Sequence, residues 1–316
     1  MIFEEFMFYV SIKHKDSVYR MNEYESMYSY ELLDWIELRK LNWIYLSSNP
    51  NAIQLLENNL EKVDWWFLSA NPNAIQLLEK NPLKISWHYL SSNPNAIHML
   101  EKNPEKIDWW FLSANPNAIH LLEKNPEKIY WNRLSGNPNA VKLLERNRSK
   151  IDWHWFSENL NAVKILEENE GEIHWRALAR NKNAVKLLEK NPSKIDWVNF
   201  SYNENGVELI EKNPTKINWR TLSLNENAIH ILEKNPEKIM WGHLSGNANA
   251  MRLLEKNQEK IFWCVLSTNP SIFTKELNSK FLREKMDLIR EELIMKCMHP
   301  SRLERWIELG GDIDDF

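Results

Sequence analysis

Apolar and polar positions along this chain repeat with a period of 22 residues. Tryptophan marks the period, at 43, 65, 87, 109, 131, 153, 175, 197, 219, 241 and 263, and no insertion or deletion falls between copies. Two residues before each Trp the chain is always aliphatic (Leu41, Val63, Ile85 and onward to Ile261), and three after it always Leu or Phe, so both columns face a core. Aligned on the Trp, the unit reads I-D-W-x-x-L-S-x-N-P-N-A-I-x-L-L-E-K-N-P-E-K; residues 103–124 give a nearly full copy. A fixed period of this length is the signature of a solenoid, in which units too small to bury their own apolar face bury it against their neighbours.

Each half of the unit predicts one helix. In W-x-x-L-S, the residue before the Trp is Asp, Asn or Ser in seven of eleven copies (Asn42, Asp64, Ser86, Asp108, Asp152, Asp196, Asn218). These are N-cap residues, and they start a Trp helix of about one and a half turns, part of it 3₁₀. In A-I-x-L-L, apolar residues at 52, 53, 55 and 56 make one helical stripe. The preceding Asn-Pro predicts a Leu helix of about ten residues from near Pro50, Pro72 or Pro94. A second Asn column (Asn59, Asn81, Asn103, Asn125) ends it in a left-handed conformation. Neither helix persists alone in water. Burial of about 150–250 Å² per Trp, roughly 4–6 kcal/mol gross, makes the Trp column the main contributor to the stack. Ala at 52, 74, 96 and 118 marks close backbone approach. With helices about 8–10 Å apart, eleven units predict an elongated rod or superhelix on the order of 100 Å long.

The predicted fold class is therefore all-α, a right-handed α-solenoid of about eleven two-helix repeats over residues 41–271. Residues 1–40 form an N-terminal cap, in which 30–40 resemble a degraded Leu helix and Phe6 to Ile12 a short strand. Residues 272–316 form a helical C-terminal cap: Leu282, Met286, Ile289, Leu293 and Cys297 share a stripe on one helix, and a second runs from Pro300 to Gly310 with Leu303, Trp306 and Ile307 inward.

Composition narrows the chemistry. The chain has 316 residues, 43% apolar and 27% charged, enough to fold, and its formal charge of −4 repels nucleic acid at long range. Cys264 and Cys297 are too few and too far apart for a disulfide framework or structural zinc, which points to a reducing, intracellular compartment. No run of 18 apolar residues spans a membrane, and Glu4 and Glu5 stand where a signal peptide carries positive charge. Seven glycines leave little material for phosphate-cradling loops or strained catalytic turns.

The run N-P-N-A-I-x-L-L-E-K-N-P-E-K-I-D-W resembles the short tandem repeats of many proteins of giant DNA viruses of amoebae, the mimivirus-like group, over roughly residues 41–271. The closing stretch H-P-S-R-L-E-R-W-I-E-L-G-G-D-I-D-D-F is similar to endings in such proteins. In outline the unit is also similar to leucine-rich-repeat variant and HEAT-like modules. The resemblance implies a repeat protein that engages host or viral proteins. A structural protein of the virion is an alternative it leaves open. Residues 148–182 depart from the unit at Arg148, Leu160, Glu170, Gly171 and Lys182 without breaking the period.

No motif of a catalytic triad, P-loop, dinucleotide site or metalloprotease is present, so the reading is of a non-enzyme without cofactor or metal. His98, His120 and His230 share one exposed column, and copies in adjacent units stand a stacking distance apart, too far for one zinc. Asn49 to Asn269, Asn51 to Asn249 and Asn59 to Asn257 are uniform because caps and turns need them at every unit. The Glu57 to Glu255 and Lys columns form a mutually paired surface; a basic track including Lys84, Lys106 and Lys128 is the nucleic-acid alternative. The two positions after the Trp vary most. Their N-terminal half is aromatic, and Tyr45, Trp66, Phe67, His88, Tyr89, Trp110, Phe111, Arg133, His154 and Trp155 form the predicted protein-binding strip. The competing reading makes the second of these positions a further core column.

Overall fold

The computed structural model describes residues 28–278, with Arg283, Asp287 and Glu291 beyond them. The strand expected at Phe6 to Ile12 and the two helices expected after residue 280 lie outside the described residues. The chain divides into two compact units, residues 32–273 and one made of the two flanks. Of the flanking unit, 28–31 and 274–278 are described; here β1 (Tyr28–Leu32) and β2 (Phe273–Leu277) form a two-stranded sheet.

Residues 32–273 form an all-α repeat fold. Each unit has three short elements, for example a 3₁₀ turn at Pro104–Lys106, a Trp helix at Trp109–Ala114 and a Leu helix at Ile119–Lys124. The Trp helices begin as their N-cap residues dictate: Asp64 Oδ1 accepts the amides of Trp66 and Phe67, both at 3.0 Å. Where the sequence places His174, its Nδ1 accepts from the Ala177 amide instead, at 3.3 Å.

Two local expectations are corrected. The Leu helix has five or six residues rather than ten, because Pro-Asn-Ala forms a turn of its own, 3₁₀ at Pro138–Ala140. The Asn before it caps that turn, with Asn137 Oδ1 accepting from the Asn139 amide at 3.0 Å. The Asn ending the Leu helix is not left-handed: Asn125 has φ −134° and ψ 60°. Its amide donates back to the Leu121 carbonyl at 2.9 Å, and the Pro after it opens the next 3₁₀ turn, where a missing N–H costs nothing.

The core is a narrow column. Leu112, Ala118 and Leu122, and their equivalents in other units, are fully buried. The aliphatic residue two before the Trp is buried or nearly so, as expected. The Trp column itself is partly rather than fully buried. Its indoles are instead covered by the next unit: Lys62 Nζ lies over Trp43, Lys106 over Trp87 and Lys128 over Trp109, at 4.5–4.6 Å from the ring centroids.

One unit replaces the Leu/Ala pair of this core with Phe200 and Gly206. A Cβ on Gly206 would sit 2.6 Å from Phe200 Cζ, closer than atoms approach. The expected result of Gly206→Ala is therefore a loss of about 1–3 kcal/mol by overpacking, read by chemical denaturation, with Phe200→Leu restoring most of it in the double variant. Additive losses would show the two sites to be uncoupled.

Units are joined by a ladder of buried Asn side chains. Asn137 Nδ2 donates to the carbonyls of Ser113 and Asn115 in the preceding unit, at 3.2 and 2.9 Å. The same pair of bonds occurs at every step. A second Asn reaches the preceding turn, Asn139 Nδ2 to the Pro116 carbonyl at 2.9 Å. A Ser hydroxyl accepts the N-cap amide of the following unit, Asp152 N to Ser135 Oγ at 2.9 Å. At one step Ala179 takes the place of this Ser.

The ladder has no ends. Asn49 in the first unit donates to the carbonyls of Ser267 and Asn269 in the eleventh, at 3.0 and 2.9 Å. Asn51 donates to the Pro270 carbonyl at 3.0 Å, the Asn42 amide to Ser267 Oγ at 2.8 Å, and Lys40 lies over Trp263 at 4.8 Å. The two Asn49 bonds recur between every pair of units, and the other contacts between most of them. The elongated, open stack expected from the sequence is thus corrected: residues 32–273 close into a ring of eleven units, each turned by about 33° (360° divided by eleven). Residues 30–40 are correspondingly not a degraded Leu helix. Leu38–Lys40 is the 3₁₀ turn of the first unit, equivalent to Leu60–Lys62. The eleventh unit ends after Pro270–Ile272, without a Leu helix, and Leu33 N donates to the Ile272 carbonyl at 2.9 Å.

In a ring, the separation between equivalent points grows with distance from the axis. Consecutive Trp helices and Asn turns approach more closely than consecutive Leu helices do. The Trp helices and Asn turns therefore line the inner side, and the Leu helices the outer.

Candidate interaction surface

The first position after the Trp is exposed in ten of the eleven units, the exception being Gly242. It lies on the face of the Trp helix opposite the buried Leu, because residues one and three steps along a helix differ by about 200°. Here Trp66 is 66% exposed and Trp110 39%, and Trp155, at the second position of its unit, is 36% exposed. The second position is mixed. Tyr45 and Phe67 are exposed, Tyr89, Phe111 and Arg133 half-buried, and Ala177 buried. It is neither a core column nor a free surface, and its rings pack along the wall of the strip.

The side chains of the predicted strip form a pair, Tyr45 and Phe67, and a series of contacts from Trp66 to Trp155. Tyr45 meets Phe67 at 6.1 Å between centroids, and Trp66 stacks on Tyr89 at 6.4 Å. His88 packs edge-on to Phe111 at 4.1 Å, and its Nδ1 pairs with the Asp108 carboxylate. Phe111 meets Trp110 at 4.7 Å, and His154 meets Trp155 at 5.8 Å. The series does not stop at Trp155, since His154 also packs against His174 at 4.3 Å.

Sequence reasoning placed Arg133 in the strip but missed its setting. The guanidinium carbon lies 4.1 Å from the Trp110 ring centroid and 5.6 Å from that of Trp155, so one indole from each neighbouring unit flanks it. The signal was present in the sequence: the second position of one unit is Arg where its neighbours carry Trp at the first and second.

The remaining polar columns behave as a paired surface. His98, His120 and His230 each meet a Glu of the preceding unit (Glu79, Glu101, Glu211) at 2.9 Å. Lys80 pairs with Glu57 at 3.2 Å and Arg146 with Glu123 at 3.2 Å. Of the three lysines of the basic-track alternative, Lys106 and Lys128 lie over indoles. A shallow depression of about 270 Å³ beside Trp109 is lined by Glu101, Pro104, Ile107, Leu121, Lys124, Asn125 and Lys128, and its carboxylate Glu101 is paired with His120. Among the described residues no group of three or more His, Cys, Asp or Glu is placed to hold a metal, and no helix is long and apolar enough to cross a membrane.

Comparison with protein-family models, with curated proteins and with solved structures finds no match. The class of the molecule thus rests on its own geometry, a closed ring of α-helical repeats over residues 32–273.

Proposed function

We propose that the chain is a non-enzymatic scaffold that binds a protein partner through the aromatic strip of its Trp helices. The observation that carries the reading is the exposure of Trp66, Trp110 and Trp155 on one continuous ribbon of touching rings. Soluble proteins seldom leave large aromatic side chains clustered in water, and Trp, Tyr and Arg dominate binding hot spots. The likeness of the repeat to those of giant DNA viruses supports a host or viral protein as the partner.

The lysines give less support to nucleic acid. Seven of them lie over Trp rings at 4.5–4.9 Å, and their ammonium groups cover indoles as well as facing solvent.

The test is the pair Trp66→Ala and Trp110→Ala. Trp66 is held by few contacts, so its loss is expected to change stability by less than about 0.5 kcal/mol. Binding of partners recovered by affinity purification is expected to fall at least about tenfold, equivalent to 1.4 kcal/mol. Retention of the same partners by a folded double variant would place the site elsewhere.

A further inference from the structure

We infer that Trp110, Arg133 and Trp155 form a subsite for a carboxylate side chain, so that the strip takes a peptide with an acidic residue flanked by apolar ones. This rests on the strip being a protein-binding surface, and it names the chemistry of the partner.

Arg146 and Arg180 stand beside glutamates at 3.2 and 4.0 Å, and Arg220 donates to His243 at 3.2 Å. Arg148, Arg176 and Arg252 have no such partner but are exposed to water, whereas Arg133 is half-buried. Among the described residues Arg133 has no ion pair and no side-chain hydrogen bond, and its Nε is buried without a partner. A buried N–H without an acceptor is costly, and so is a guanidinium half out of water without a counter-charge. The flanking indoles explain why the side chain stays where it is. Stacking over Trp110 at 4.1 Å fixes the plane of the guanidinium without using its N–H groups. What remains is a pre-ordered fork formed by the terminal Nη1 and Nη2, with its rotamer entropy already lost and without an acceptor, while the buried Nε lies out of a ligand's reach. A carboxylate matches that fork with two parallel bonds.

Charge selects the peptide over a polyanion. Within the aromatic stretch Tyr45 to Trp155, Arg133 is the one permanent cation of the strip, and the N-cap carboxylates Asp64, Asp108 and Asp152 lie at the starts of its Trp helices. A string of phosphates would meet those carboxylates at every second unit and find one cation. A single carboxylate at Arg133, with apolar side chains toward Trp66 and Phe67, meets complementary groups throughout.

The experiment selects a phage library of random linear peptides on the full chain and measures recovered peptides by calorimetry. The expected sequences carry Asp or Glu beside aromatic or aliphatic residues. Arg133→Gln is expected to weaken them at least about tenfold, Arg133→Lys not to restore them, and Asp→Asn in the peptide to cost the same factor without adding to Arg133→Gln. The peptide substitution keeps the test valid if Arg133 variants fold poorly. Peptides that lose affinity in Trp66→Ala but ignore both Arg133→Gln and their own Asp→Asn would overturn the carboxylate subsite and leave the strip standing. Peptides indifferent to Trp66→Ala and Arg133→Gln alike would overturn the strip itself. Salt-sensitive binding of oligo-dT that Arg133→Gln abolishes would reassign the subsite to phosphate.

Discussion

Asn137→Asp is expected to lower the stability of the ring by at least about 3 kcal/mol. The side chain is 1% exposed, and its amide makes two donated bonds to the preceding unit and one accepted bond within its own turn. A carboxylate keeps the accepted bond but turns the two donors into acceptors facing the carbonyls of Ser113 and Asn115. Those carbonyls lose their partners, and a charge is left in a site closed to water. At this size, each kcal/mol moves the melting temperature by about 2–4 °C, so a fall of roughly 6–12 °C is the expected reading in a thermal melt. A change under about 1 kcal/mol in chemical denaturation would show that the ladder does not hold the units together.

Asn49→Ala tests closure. In an open stack the first unit has no predecessor, Asn49 faces water, and the substitution costs a few tenths of a kcal/mol. In the ring, Asn49 loses the carbonyls of Ser267 and Asn269 and is expected to cost about 2–3 kcal/mol, the same as Asn137→Ala. Hydrogen exchange gives an independent reading. The Asn42 amide, bonded to Ser267 Oγ, is expected to be protected to the same degree as the Asp152 amide bonded to Ser135 Oγ. An unprotected Asn42 amide together with a silent Asn49→Ala would mean that the first and last units part in solution.

The repeat, its two helices and the role of the Asn columns were legible in the sequence because each unit meets an identical neighbour, and identical neighbours demand identical residues. Asn at 49 and at 269 is the same requirement stated at the two chain positions that meet. Closure was not legible from the period, since the period says that units stack and not how far each one turns. The turn depends on how much closer the Trp helices sit than the Leu helices, a difference in spacing that no single residue declares. A clue was nonetheless present. Trp43, Leu46 and Asn49 in the first unit and Trp263, Leu266 and Asn269 in the last keep the full packing set, whereas the terminal units of an open stack need a polar outer face.

The partial exposure of the Trp column has a similar cause. Hydrophobic weight predicts that an indole seeks the interior, but the Lys three residues before the following Trp supplies another cover, and only the three-dimensional step between units brings the two together. The strip after the Trp was readable as variable and aromatic. The stacking of Arg133 across two units was not, because it joins residues 22 or 23 positions apart whose meeting depends on the same step.

Closure also changes how such a gene can grow. An open array accepts an extra copy at either end and simply becomes longer. In the ring a twelfth copy must be shared by all, reducing the turn at each joint from about 33° to about 30° (360° divided by twelve) and widening the circle. Copying errors of one whole repeat are therefore absorbed as a change of bore, while those of any other length break the circle at Asn49, so selection on this locus acts on an integer.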